Sequence, residues 1–379
     1  MEQLNIDIFQ DKNEAVCRLY WELETEERFK YKVSEIANMM GIKPIQISSL
    51  MKESCVVYSN TVYCIECEQP YELSNRTDYS SHHRYRNAWK CAACIQDEQD
   101  NILNIRQKQI DDLIERTQTG SIDISDLSLK QCAYLLALIR HSSDEMLVKF
   151  HAISKNKAEQ LMPHPNLPGD LIRFLYKSDV ISLSDDSPQN AFHFTGDELT
   201  TFSLIDSVWQ IELEEGVSLG YFLKQIENLL LDSEFIDAYK EDFYELLIEI
   251  SLMECIAFLE YNLDEHNLPF NPGEKTKAIF IQLLGVYSVA QIYTFIWRAC
   301  KDAAAYYMKG GISKQQAANS VVGNIQRQYE RAIANDWNIG PFKRNYNLPQ
   351  SILSQVVFNF MLRTDDGGFN QKISTFITK

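Results

Sequence analysis

Two pairs of cysteines in this chain have the spacing of metal ligands. Cys64 and Cys67 form one Cys-x2-Cys unit, and Cys91 and Cys94 form a second unit, with 23 residues between the two units. A two-residue gap lets both sulfurs of a unit reach one ion, and four thiolates with no open position describe a closed structural site rather than a catalytic one. The sequence therefore predicts a structural Zn²⁺ ion bound by these four cysteines.

Other ligand sets and other cysteine chemistry are open alternatives. His82 and His83 lie between the two units and can in principle replace a cysteine as a zinc ligand. A redox pair or disulfides would use the same spacing, but an odd total of nine cysteines with isolated thiols in apolar stretches is typical of a reducing compartment. The N-terminal residues lack the basic-then-apolar pattern of a signal peptide, so we expect a cytoplasmic protein.

The loop between the cysteine units alternates basic and aromatic side chains. Its candidate nucleic-acid contacts are Arg76, Arg84, Arg86 and Lys90, interleaved with Tyr79, Tyr85 and Trp89. Guanidinium groups bind phosphates through paired hydrogen bonds, and flat rings stack on sugars or unpaired bases. We therefore expect this loop to contact a nucleic-acid backbone. The alternative is a solvated loop in which Trp89 covers the metal site.

Residues 33–52, "VSEIANMMGIKPIQISSLMK", read as two short helices joined by a tight turn. Ala37 is a small residue where two helices would cross, Gly41 suits the positive φ of a sharp turn, and Pro44 suits the first turn of the second helix. Ile47 and Leu50 continue the apolar face. The segment resembles the bacterial helix-turn-helix over all its positions.

This resemblance implies that the second helix enters the major groove of double-stranded DNA. The residues it would expose are Lys43, Pro44, Ser48, Ser49 and Lys52. The alternative is a helical pair used only for packing. Val56 to Tyr58 and Thr61 to Tyr63 read as a β-hairpin around Ser59-Asn60, which would make the module similar to a winged helix. Residues 64–94 resemble a zinc ribbon.

Negative charge is concentrated in one part of the chain. The formal net charge is -17, and residues 181–270 alone hold 20 acidic and 2 basic residues, whereas 271–379 hold 6 acidic and 13 basic. Apolar residues recur at helical spacing between the carboxylates, which predicts amphipathic helices with acidic outer faces. We interpret these faces as solvated or as a surface for a protein partner or for self-association; a paired-carboxylate hydrolase is the enzymatic alternative.

The remaining segments predict a mainly α fold in five parts. These are 1–62, a winged-helix-like helix-turn-helix; 63–100, the zinc ribbon; 101–180, a helical connector with a second helix–hairpin module; 181–270, the acidic helical region; and 271–379, a basic helical domain. In the second module a small wing-like hairpin is predicted from 180–183 and 191–194. Residues 278–297 carry no charge, and we favour a buried central helix over a membrane span because Gln282 and Gln291 interrupt the stretch.

These patterns favour a non-catalytic DNA-binding protein. By analogy, such a design fits a regulator or a component of a phage, mobile-element or phage-defence system. The sequence lacks a phosphate-binding glycine loop, a nucleophile elbow and a dinucleotide fingerprint. A protein-interaction adaptor, docking through its zinc ribbon and acidic body, is the first alternative. An effector enzyme such as a nuclease is the second.

Overall fold

Helices account for most of the chain, with small antiparallel sheets between them, as the sequence predicts. The computed structural model describes residues 4–25, 28–85, 88–143, 150–156 and 158–376. The chain divides into two units, Met1–Gln107 and Lys108–Lys379, and helix α5 runs across the boundary. Each unit has its own cluster of buried apolar side chains.

The N-terminal unit combines short helices with a three-stranded sheet and a strand pair. Its elements are β1 (Asn5–Ile8), α1 (Glu14–Trp21), β2 (Leu23–Thr25), β3 (Arg28–Phe29), α2 (Val33–Met40), α3 (Pro44–Ser54), β4 (Cys55–Tyr63), β5 (Pro70–Glu72), α4 (Arg76–His82) and α5 (Ala92–Thr117). The three-stranded sheet has the order β1-β4-β5 with antiparallel neighbours, and β2 pairs with β3.

The two helices predicted for residues 33–52 are present as α2 and α3. Gly41 ends α2 with φ 68°, and Pro44 occupies the first turn of α3. Ala37 and Ile47 are fully buried in the cluster that α1 completes. The Gln46 side chain accepts the Lys43 N–H at 2.9 Å, which caps α3. The small residue is therefore buried in the helix packing, the glycine supplies the positive φ of the turn and the proline starts the second helix, as their residue types predict.

The predicted hairpin of residues 56–63 is wrong, because Cys55–Tyr63 form the single strand β4. Ser59 is buried, and its hydroxyl oxygen accepts the N–H groups of Thr61 and Val62 at 3.2 and 3.1 Å. The register of β4 against β5 shifts between Tyr58 and Tyr63. Pairing with β1 on one edge and β5 on the other keeps the chain extended, so Ser59-Asn60 makes an irregularity within one strand rather than a turn.

The C-terminal unit is built from helices with two small strand pairs. Its elements are α6 (Leu129–Ser142), α7 (Pro168–Lys177), β6 (Ser182–Leu183), β7 (Phe192–Thr195), β8 (Glu198–Phe202), β9 (Trp209–Gln210), α8 (Leu219–Leu230), α9 (Ser233–Ala238), α10 (Lys240–Glu265), α11 (Glu274–Leu284), α12 (Val289–Met308), α13 (Lys314–Ala334) and α14 (Ile352–Ser354), which leads into a π-helix (Gln355–Met361). One apolar cluster extends from Ile110 to Ile373, across the three parts predicted for this region.

Two local predictions in this unit are wrong. The segments 180–183 and 191–194 do not pair with each other, since β6 pairs with β9 and β7 pairs with β8 around Gly196, whose φ is 63°. The charge-free stretch 278–297 is two helices rather than one. Ser288 caps the start of α12: its hydroxyl oxygen accepts the Gln291 N–H, and the side-chain oxygen of Gln291 accepts the Ser288 N–H. This capping box starts a new helix inside the charge-free stretch.

Helix α10 passes through the core of this unit. Its Phe258 ring stacks on Tyr293 of α12 with centroids 3.7 Å apart. The buried carboxylate of Glu254 accepts hydrogen bonds from Ser354 and from Arg344, each at 3.1 Å. Arg344 lies in the connection between α13 and α14, and its guanidinium donates to this carboxylate inside the fold. Among the described helices, none combines the length and apolarity that crossing a bilayer requires.

Candidate metal centre

The connection between β4 and β5 and the start of α5 bring the four cysteines together. Cys64 and Cys67 lie in the connection, Cys91 lies just before α5, and Cys94 lies in its first turn. Their sulfur atoms are all within 4.8 Å of one another, and those of Cys67 and Cys91 are 3.6 Å apart. In the described residues this is the group with the geometry to hold a metal ion.

Backbone hydrogen bonds help to fix the two cysteine units. The Cys91 N–H points at the sulfur of Cys64 at 3.3 Å, and the Cys94 N–H points at the sulfur of Cys91 at 3.4 Å. The Cys64 N–H donates to the Gln69 carbonyl at 2.8 Å, which closes the first unit into a turn. Donors aimed at sulfur stabilise the thiolate form, which is the form that binds metal.

The sulfurs differ in their readiness to ionise. Burial by itself would raise the pKa of the Cys64 thiol, but backbone N–H groups of Cys91, Cys67 and Glu66 lower it to about 6. Hydrogen bonds to the sulfurs of Cys67 and Cys91 raise the pKa of Cys94. Negative charges this close repel one another, so a cation is needed for all four to be thiolates at once.

Lys90 lies beside the cluster between two carboxylates. Its ammonium is 3.1 Å from Glu66 in the first cysteine unit and 3.1 Å from Glu98 in α5. Hydrogen bonds to Glu98 and Glu66 raise the pKa of Lys90. The side chain predicted to contact nucleic acid therefore links the two cysteine units across the surface.

Glu68 follows the first unit with φ 60°, a conformation that favours glycine. We expect Glu68→Gly to stabilise the N-terminal unit by about 1 kcal/mol. The substitution removes the cost of a left-handed non-glycine residue, roughly 1–2 kcal/mol, and the greater chain entropy that glycine loses on folding offsets part of this gain. Urea unfolding of the metal-loaded protein measures this. Gln69→Gly, at a neighbouring position with ordinary φ, is the control and should not stabilise the unit.

Arg76 is held inside the N-terminal unit. Its Nε donates to the Tyr20 carbonyl at 2.8 Å, its Nη1 donates to the Tyr31 carbonyl at 2.6 Å, and its Nη2 also donates to Tyr20. The guanidinium carbon lies 4.4 Å from the ring centre of Tyr20 and 4.3 Å from that of Phe29. This arginine joins α1, the β3–α2 connection and α4, a role that the sequence pattern did not suggest.

The other residues of the predicted basic loop have varied surroundings. Arg84 is exposed, and Arg86 lies outside the described residues, as does the side chain of His83. His82 is buried, and its ring contacts Tyr79 rather than the sulfur cluster. The ring of Trp89 packs edge-on against Tyr71 with centroids 5.0 Å apart.

All five side chains predicted for the recognition surface are exposed. They are Lys43, Pro44, Ser48, Ser49 and Lys52. Sequence reasoning missed that Met39 and Ile45, on either side of the turn, are 60% and 80% exposed. For Ile45 the signal is its position two residues before the buried Ile47, which places it on another face of α3, whereas Met39 lies three residues after the buried Ile36 and its spacing gave no signal.

Comparison of this chain with protein-family models, with curated proteins and with solved structures finds no match in any of the three.

Proposed function

We propose that this protein binds double-stranded DNA without catalysing a reaction on it. The observation that carries the proposal is the pair α2 and α3, joined at a left-handed Gly41, with a polar and basic face of α3 exposed. A helix held in this way by a partner helix can enter the major groove and place its first turns against base edges. Lys43, Ser48 and Lys52 are the proposed contacts.

The order of elements after α3 supports a winged-helix-like module. Strands β4 and β5 are antiparallel neighbours in the sheet, and the connection between them contains Cys64 and Cys67. We propose that Zn²⁺ is the bound ion, because four thiolates in a closed set suit its tetrahedral coordination. The ion would hold the tip of this β-connection against α5, so its proposed role is structural.

Ion pairs within the unit reduce the number of basic residues near α2 and α3 that are proposed to contact phosphate. Of the basic residues between 28 and 52, Arg28 lies 3.3 Å from Glu24, and Lys30 pairs with Glu22. Lys32, Lys43 and Lys52 are exposed. Because exposed lysines can exchange water for phosphate at little cost, these three contribute the salt-dependent part of the proposed affinity.

We expect Lys43→Glu combined with Lys52→Glu to weaken duplex binding at least tenfold, since two phosphate contacts become repulsive. Fluorescence anisotropy with a labelled random 30-bp duplex, at several salt concentrations, measures the effect on the full chain. The control is Lys177→Glu with Lys240→Glu, which makes the same charge change at exposed lysines of the other unit. Equal binding by the helix variant and this control would refute the proposal.

A second candidate function is that of a protein-interaction adaptor. It is favoured by the exposed Met39 and Ile45, since large apolar side chains beside one turn are typical of a protein contact. Absence of duplex binding by the full chain at 50 mM salt would reject the DNA proposal and leave the adaptor. Incubating the same protein and duplex with Mg²⁺ tests the nuclease alternative, which predicts cleavage products.

A further inference from the structure

The hairpin of α12 and α13 carries exposed cations that lack a carboxylate partner among the described residues. We call this set the α12–α13 cationic face; it consists of Arg298, Lys301, Arg327 and Arg331. The ion pairs of this unit use other basic residues, such as Lys277 with Glu274. In a protein of net charge -17, this face is a surface whose charge is not neutralised by its own unit.

Helix spacing brings Arg298, Arg327 and Arg331 together, and Lys301 lies three residues after Arg298 on α12. A connection of only five residues, 309–313, makes α12 and α13 antiparallel, and Asn324 donates to Asp302 at 3.1 Å, which sets their register. Arg298 lies one turn before Asp302, and Arg327 lies about one turn after Asn324. In antiparallel helices these two steps lead in the same direction, so Arg298 lies alongside Arg327, with Arg331 one turn further.

Acidic side chains neutralise only part of the charge of this face. The two helices contain the carboxylates Asp302 and Glu330, and each accepts a hydrogen bond from an amide, from Asn324 and from Gln326. From residue 289 to 347 the chain has eight lysines and arginines and three carboxylates. The excess of positive charge is therefore local and persists at the surface.

An exposed tryptophan lies within the same surface. The Trp297 ring is 38% exposed, with the Lys301 ammonium 4.4 Å from its centre and the Phe342 ring centre 5.9 Å away. Phe342 is held there by its N–H, which donates to the Ala290 carbonyl at 2.8 Å. A fixed, partly exposed indole beside cations is the arrangement that stacks on an unpaired base while its neighbours contact phosphates.

We propose that the α12–α13 cationic face binds the phosphodiester backbone of a nucleic acid, with Trp297 stacking on an unpaired base. This surface belongs to the C-terminal unit and does not depend on α3 binding duplex DNA. Charge complementarity supports phosphates as the partner, and the exposed indole favours a strand with accessible bases over an acidic protein surface. An acidic region of a second copy is the competing occupant.

The test measures binding of the full chain to two labelled probes, a 30-nucleotide single strand and a random 30-bp duplex, at 50 to 300 mM salt. We expect Arg298→Glu/Arg327→Glu/Arg331→Glu to weaken single-strand binding at least tenfold and to reduce the slope of log Kd against log salt by about 2, near 0.7 per lost phosphate contact. The control, Lys177→Glu/Lys224→Glu/Lys240→Glu, reverses three exposed lysines of the same unit. Trp297→Ala should weaken single-strand binding about fivefold and duplex binding less.

The outcomes separate this inference from the proposed function. If the triple arginine variant binds both probes as its control does, the inference is wrong, whatever the Lys43 and Lys52 variant does. If the Lys43→Glu/Lys52→Glu variant keeps its duplex affinity while the triple arginine variant loses single-strand affinity, the inference holds and the proposed function fails. Sedimentation velocity adds a further outcome: loss of self-association with unchanged nucleic-acid binding assigns the face to a protein contact and overturns the inference.

Discussion

Replacing Cys64 with serine is expected to remove the bound metal and destabilise residues 64–94. Metal analysis of the wild-type protein should give about one zinc per chain, and Cys64→Ser should give much less, because serine is a poor ligand for a soft tetrahedral site. Cys64 is the buried sulfur toward which the Cys91 N–H points, so the variant also loses a structural acceptor.

The size of this effect depends on what else holds the four cysteines in place. The apolar cluster of the N-terminal unit reaches Tyr79 but contains none of the four cysteines that form the metal group. Zinc binding in small domains supplies on the order of 10 kcal/mol of folding free energy. Part of that is expected here, since the cluster around α1, α2 and α3 is independent of the metal.

Limited proteolysis and circular dichroism measure the structural consequence. Cleavage within 64–94 should become fast in Cys64→Ser and in chelator-treated wild-type protein, while cleavage of the C-terminal unit stays unchanged. Cys132→Ala is the matched control, because Cys132 is fully buried in the other unit and lies outside the metal group. A Cys64→Ser protein that still binds one metal per chain would contradict the assignment of the ligands.

Arg76→Ala is expected to lower the free energy of unfolding of the N-terminal unit by about 3 kcal/mol. The substitution leaves the carbonyls of Tyr20 and Tyr31 without their charged donor and removes a cation from between two rings. Hydrogen bonds to charged groups contribute about 1.5–3 kcal/mol each and cation–π contacts about 1, and these terms are not additive. Arg76→Lys should recover only part of the loss, because an ammonium cannot reach both carbonyls as a planar guanidinium does.

Urea unfolding followed by tryptophan fluorescence measures the free energy of unfolding of the Arg76 variants, and Trp21 in the affected cluster is the natural reporter. The control is Arg84→Ala, an exposed arginine from the same basic loop, for which a change within about 0.5 kcal/mol is expected. If Arg76→Ala instead leaves stability unchanged and weakens DNA binding, then Arg76 contacts phosphate, and the role we assign to it is wrong.

Short-range patterns predicted much of the N-terminal unit. The spacing of the cysteines anticipated that four sulfurs would meet, and Ala37, Gly41 and Pro44 anticipated two helices and the turn between them. These signals succeed because each acts within a few residues: a two-residue gap sets the reach of two sulfurs, and a glycine sets one backbone angle.

Strand pairing was the least predictable part. The sequence of the segment Cys55–Tyr63 predicts two strands because Ser59-Asn60 is a good turn sequence. In the structure it is one strand, β4, which pairs with β1 and β5. In the C-terminal unit, 180–183 and 191–194 lie close in sequence, but each found a different partner. Which edge is free depends on elements distant in sequence, so local propensity cannot choose between pairings.

The sequence by itself determined the group of four cysteines, the helix pair α2–α3 with its glycine turn and the mainly helical character, since residue type and spacing set them locally. Only the tertiary structure decided what the basic side chains do. Arg76 and Arg344 donate hydrogen bonds to acceptors inside the fold, Lys90 is paired with two carboxylates, and Arg298 and Arg327 are exposed on the neighbouring helices α12 and α13. A charged side chain has the same identity in each case; its role depends on whether the fold brings an acceptor within hydrogen-bonding distance, and that distance is set by contacts between remote segments.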